Sequence, residues 1–142
     1  MDIRKLFTAA AVYVVLGLAA CLFYRSFTVA TDHFEPTQLN TLHTHLLVLG
    51  TFFFLIALAL DKVFGFSRQE GFMGWFIAHN VGIVWTTGFM MANGIVHTLS
   101  GPEAWSEMWA GMSGLGHIIL TVTFAWFFIL LNKAMKQTEA DA

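Results

Sequence analysis

The chain has 142 residues, of which 57% are hydrophobic and 11% charged, and its formal net charge is −2. Water-soluble domains carry about 25% charged residues, so a soluble globule is excluded, and without a basic footprint nucleic acid is not an expected partner. Mean hydropathy is +0.68 over the whole chain.

Four stretches without Asp, Glu, Lys or Arg define the predicted elements: residues 6–24, 41–60, 71–100 and 108–132. Each is long enough to meet the roughly 17–25 residues with which an α-helix crosses about 30 Å of hydrocarbon. The expected fold is all-α: one integral membrane four-helix bundle, multi-pass, occupying residues 1–142 as a single domain in contact with membrane lipid.

The first helix follows Arg4 and Lys5. Its run Leu18-Ala19-Ala20-Cys21 has the outline of a bacterial lipoprotein signal, but the apolar stretch continues through Leu22, Phe23 and Tyr24, which suits a retained helix. Cys21 is the only cysteine, so an intrachain disulfide, a cysteine-pair zinc site and a CxxCH haem attachment are excluded. Residues 31–40, with Asp32, Glu35 and Pro36, read as an external loop, and residues 61–70 as an internal hairpin. Ser100-Gly101-Pro102 ends the third helix. Within that helix Gly74, Ala78, Gly82 and Thr86 recur every four residues, and Gly111, Gly114 and Gly116 are spaced less regularly in the fourth. Both sets read as close packing inside one bundle.

Orientation follows from the seven Lys and Arg. Arg4, Lys5, Lys62, Arg68, Lys133 and Lys136 fall on one side and Arg25 alone on the other. The positive-inside rule then puts both termini in the cytoplasm, with a bacterial inner membrane as the expected location. Trp75, Trp105 and Trp109 lie near predicted helix ends, where interfacial anchoring and aromatic packing explain them equally well.

The chemistry rests on histidine. His43, His45, His79 and His117 lie in the predicted spans, His97 near the end of one, and His33 in a loop. Ionisable groups inside a membrane are costly and are functional candidates by default. At 1.5 Å per residue, His45 and His117 fall at a similar depth, whereas His79 lies roughly 15 Å deeper and His97 roughly 12 Å nearer the outside. His45 and His117 can therefore meet, and His79 and His97 read as structural. His43 and His45 are separated by roughly 200° around a helix, so they point to opposite sides and cannot share one iron. Arg25, on the same side of the membrane, can bind a haem propionate or mark a helix end among head groups.

A resemblance is carried by these residues. His43-Thr44-His45-Leu46-Leu47-Val48-Leu49-Gly50, continuing to Phe64-Gly65-Phe66-Ser67, resembles the tenth helix of haem-copper oxidase subunit I, where an HxH sequence is followed by an apolar stretch and Gly. Trp75, His79 and Gly82, followed by His97-Thr98-Leu99-Ser100-Gly101-Pro102, resemble the eleventh helix and its exit. The whole sequence also resembles a small bacterial family of four-helix membrane proteins of unassigned function. The oxidase resemblance implies one arc of a twelve-helix ring that has approximate threefold symmetry. It implies His45 as an axial haem ligand, His43 facing a second haem site, and a homotrimer that rebuilds the ring with cyclic closure.

Departures from that family limit the chemistry. The third helix has no adjacent His pair for copper, both tyrosines, Tyr13 and Tyr24, are on helix one, and the predicted spans hold no carboxylate. The expectation is a b-type haem protein engaged in electron transfer through bis-histidine ligation, not an oxygen or nitric oxide reductase, with an unknown redox partner. The second axial ligand is His43 of a neighbouring chain or His117 of the same one. The alternatives are a copper or zinc site built from His43, His45 and His117, and a structural or transport protein whose histidines only join helices.

Overall fold

The computed structural model describes residues 3–140. Four long helices follow one another: α1 Ile3–Thr31, α2 Leu39–Phe64, α3 Phe72–Ser100 and α4 Glu107–Ala140. They extend beyond the charge-free stretches because Arg25, Asp61, Lys62, Lys133 and Lys136 all lie within helices. A charge tolerated near a helix end is invisible to a criterion that counts uncharged residues.

α1, α2 and α4 are long and apolar enough to cross a membrane, with mean hydropathies of 2.4, 2.2 and 2.0 in their most apolar windows. α3 is equally long at 29 residues but does not join that set. His79, Asn80 and Asn93 interrupt its apolar run, and it occupies the centre of the molecule, where His79, Thr86, Thr87 and Asn93 are buried.

α2 and α3 form the central pair. α1 packs against α2 and reaches α3 through the Tyr13 hydroxyl, which donates to Asn80 Oδ1 at 2.8 Å. α4 packs along α3 and touches α2 through Phe53 and Phe124, whose ring centres are 5.1 Å apart. α1 and α4 share no extensive contact, so the four helices do not close into a ring.

The small-residue row of α3 faces α4, as expected for packing within the bundle. A Cβ added at Gly74 would meet Trp126 and one at Gly82 would meet Leu120, while Gly116 of α4 lies directly on Thr86. Gly111 and Gly114 differ from expectation: a Cβ at either would meet nothing within 4 Å. Trp75 is fully buried and belongs to the core, which removes it as an interfacial anchor.

α2 contains a widened stretch, Leu46–Phe52, with π-type bonding. The Phe53 N–H reaches the carbonyls of Val48 and Gly50 rather than that of Leu49, its ordinary α-helical partner. In an α-helix a row of every fourth residue drifts around the axis, because 3.6 residues make a turn. The wider turn offsets that drift and keeps Leu42, Leu46, Gly50 and Phe54 buried in one row. The Gly50 backbone lies against the Tyr13 ring, and Thr51 Oγ1 donates to the Ala10 carbonyl at 3.3 Å.

The turn after α2 is set by Gly65 in the left-handed region at φ 67°, where a side chain is disfavoured. Asp61 braces it, accepting from the Ser67 N–H at 2.6 Å and the Ser67 hydroxyl at 2.9 Å.

Close approach of α2 and α3 yields a stability test. A Cβ at Gly94 would lie 2.9 Å from the Leu39 backbone nitrogen, which cannot rotate away. Gly94→Ala is expected to destabilise the folded protein by about 1–3 kcal/mol. Gly111→Ala is expected to be neutral, as measured by reversible unfolding in detergent.

Candidate functional site: the histidines of α2 and the buried centre

His45 lies in the last α-helical turn before the widened stretch, half-buried. Its Nδ1 is 3.0 Å from the Thr41 carbonyl one turn earlier. A carbonyl can only accept, so Nδ1 carries the proton and Nε2 presents its lone pair outward. Metal-bound histidines commonly have this arrangement, the backbone acceptor fixing the tautomer and the orientation of the ring.

His43 is also half-buried but is held differently. Its Nδ1 is buried without a hydrogen-bond partner, and its Nε2 makes only a long 3.5 Å contact with the Thr44 hydroxyl. Its backbone carbonyl lies on the α1 side, 3.6 Å from where a Cβ on Gly17 would be. His117 is exposed on α4, beside the buried Gly116, and Arg25 is exposed in the last two turns of α1. Among the described residues no three of His, Cys, Asp and Glu come together as a metal-holding group. His43, His45 and His117 are thus not assembled into a metal site by a single chain.

A groove of about 890 Å³ runs along the outward side of α3 to the start of α4. Trp85, Phe89, Trp105 and Trp109 give it an aromatic wall, and no histidine lines it. Trp85 is fixed there by donation from Nε1 to the Met112 carbonyl at 2.8 Å. A second groove of about 400 Å³ opens between α1 and α3 over Leu42 and Leu46, the neighbours of His43 and His45 in α2.

His79 occupies the buried centre with no exposed surface. Its ring is enclosed by Phe53, Phe54, Trp75 and Phe124, with ring centres at 4.6, 5.6, 5.6 and 5.2 Å. Nδ1 lies 2.9 Å from the Thr123 hydroxyl, which itself donates to the Leu120 carbonyl at 3.0 Å. The Leu49 carbonyl in the widened stretch faces the ring, yet no partner satisfies hydrogen-bond geometry at Nε2. The structural reading of His79 suits this enclosure. The contribution of Thr123 was not legible in advance; the spacing of Trp75 and His79, one turn apart, was the available signal that both face the same neighbour.

The chain belongs to a protein family described as a protein of unknown function (DUF2871), matched over residues 3–134. No curated protein and no solved structure matches it.

Replacing Thr123 with Val keeps the shape but removes the partner of a fully buried imidazole. Thr123→Val is expected to destabilise the protein by about 1–2 kcal/mol. In the double variant with His79→Leu the loss should be smaller than the sum of the single losses, which a double-mutant cycle of detergent unfolding would measure.

Proposed function

We propose that this member of the family is a b-type haem protein of the bacterial inner membrane, with both termini cytoplasmic, that transfers electrons. The observation carrying this reading is the His45–Thr41 hydrogen bond, which leaves an oriented imidazole Nε2 at the half-buried surface of an apolar helix. Haem bound there supplies one-electron exchange between ferric and ferrous iron.

The chain's own residues divide the remaining tasks. His45 would hold the haem iron through Nε2, with Thr41 fixing the tautomer that leaves this nitrogen unprotonated. His43 projects from the opposite side of the same helix, and its unpartnered buried Nδ1 leaves its ring free to turn toward a ligand. Arg25, exposed near the outer end of α1, is available to a propionate.

A homotrimer fits this assignment better than a monomer. The large groove of the single chain holds no histidine, and α1 and α4 leave the bundle unclosed. A second copy brought against the open side would set His43 of one chain toward His45 of another, and head-to-tail contacts of this kind close by cyclic symmetry. The resemblance of the α2 sequence to the HxH helix of haem-copper oxidases supports the same arrangement.

Absorption spectroscopy tests the reading. The purified protein is expected to show a Soret band that shifts on reduction, and His45→Ala is expected to lose haem while still inserting into the membrane. Normal haem content in that variant overturns the assignment, and metal without a Soret band redirects it to copper or zinc.

Two further variants separate the partners of His45. His43→Met is expected to raise the reduction potential, because thioether ligation favours ferrous iron, whereas His117→Met should leave the spectrum unchanged. The reverse result would place the haem within one chain. Native mass spectrometry in mild detergent should show three chains.

A further inference from the structure

His33 and His97 are remote in sequence but meet at the end of the bundle that carries Asp32, Glu35, Glu103 and Glu107. α1 ends in a tight cap, with the His33 N–H 3.2 Å from the Thr28 carbonyl and the Asp32 N–H 3.4 Å from that of Val29. This bond pair terminates a helix on a left-handed residue, which is usually glycine. Here it is Asp32 at φ 52°, a conformation that costs an L-residue about 1–2 kcal/mol. The cap delivers His33 to the last turn of α3, where the His97 carbonyl receives the Gly101 N–H at 3.0 Å.

The two imidazole centres are 6.4 Å apart with their planes inclined by 56°. His33 Nε2 is buried and has no hydrogen-bond partner. Among the described residues the half-buried His97 side chain makes no hydrogen bond or ion pair, and its one aromatic neighbour is His33. A buried polar nitrogen without a partner calls for an explanation such as an ion or a water, and backbone strain beside it is commonly associated with a functional site.

We propose that His33 and His97 bind a first-row divalent cation, zinc or copper, with water completing its coordination. Metal–nitrogen bonds of about 2.0–2.1 Å place the centres of two ligating imidazoles about 5 Å apart at a tetrahedral angle and about 6.4 Å apart when the two are trans. The observed 6.4 Å separation suits trans ligation of tetragonal copper(II), and tetrahedral zinc requires the two rings to approach by about 1 Å. Imidazole selects zinc and copper over magnesium and calcium. The four exposed carboxylates at this end attract cations toward the pair. Two protein ligands leave open positions, so the bound ion can accept a further ligand from outside. The site is separate from His43 and His45 and does not depend on the haem reading.

Zinc chloride titrated by calorimetry into the full-length protein in detergent tests the proposal. To silence the other histidines, the chain carries His43→Ala, His45→Ala and His117→Ala. It is expected to bind one equivalent of zinc and no magnesium, and the affinity should fall at least about tenfold on adding either His33→Gln or His97→Gln. Zinc should also raise the unfolding temperature of the first protein and not of the other two. Copper(II) loaded at one equivalent should show paramagnetic couplings to two nitrogens, a readout that needs neither Gln variant to fold. Absence of zinc binding, equal binding with the Gln substitutions, or copper bound without two imidazole nitrogens overturns the site. In the otherwise native chain His33→Gln should leave the Soret band unchanged, so failure of the haem reading and failure of this one are distinguishable.

Discussion

Thr123 in the middle of α4 ties that helix to α3, one of the central pair. Its hydroxyl meets His79 Nδ1 and donates to Leu120, and its backbone carbonyl receives the Trp75 indole N–H at 3.0 Å. His79 and Trp75 both lie on α3, the helix whose polar residues exclude it from the most apolar set. Polar groups inside a packed interior require hydrogen-bond partners, and between apolar helices such bonds contribute to association that van der Waals packing otherwise supplies. The close approach of Gly82 to Leu120 and of Gly116 to Thr86 brings the backbones near enough for these bonds to form.

The widened stretch of α2 connects this centre to the proposed ligands. On one side of it Phe53 and Phe54 close over His79; on the other stand His43 and His45. π-type turns occur often at functional sites because the extra residue redirects the helix face and diverts a backbone acceptor. Here the diverted acceptor is the Leu49 carbonyl, facing the His79 ring. The aromatic core therefore sets the direction of the helix that presents the HxH pair, although neither of those histidines touches it.

The packing is uneven along the molecule. The buried aromatic residues Phe54, Phe66, Phe72, Trp75 and Phe127 gather in the half next to the Gly65 turn, and the grooves over Leu42 and along Trp85 and Phe89 reach into the other half. Gly88, Gly111 and Gly114 have no neighbour within 4 Å of an added Cβ. The Gly74 to Thr86 row, by contrast, is already occupied by α4.

The amino-acid sequence by itself determined the four helices, the hairpin over residues 61–70 and the end of α3 at Gly101, because these depend on local composition and backbone preference. It also determined that His43 and His45 diverge, since helical spacing fixes their relative direction. Burial is a relation between segments, so only the tertiary structure separated His79, enclosed by four aromatic rings, from His117, exposed on a neighbouring helix. Depth counting put His45 and His117 at a similar level but carried no information about rotation around either axis. The π stretch was likewise not legible: no residue in Leu46–Phe52 forbids an α-helix, and the wider turn is selected by the need to keep Leu42, Leu46, Gly50 and Phe54 in one row against the neighbouring helices. The meeting of His33 with His97 has the same origin, since a helix cap sets a local direction but only packing decides what stands opposite.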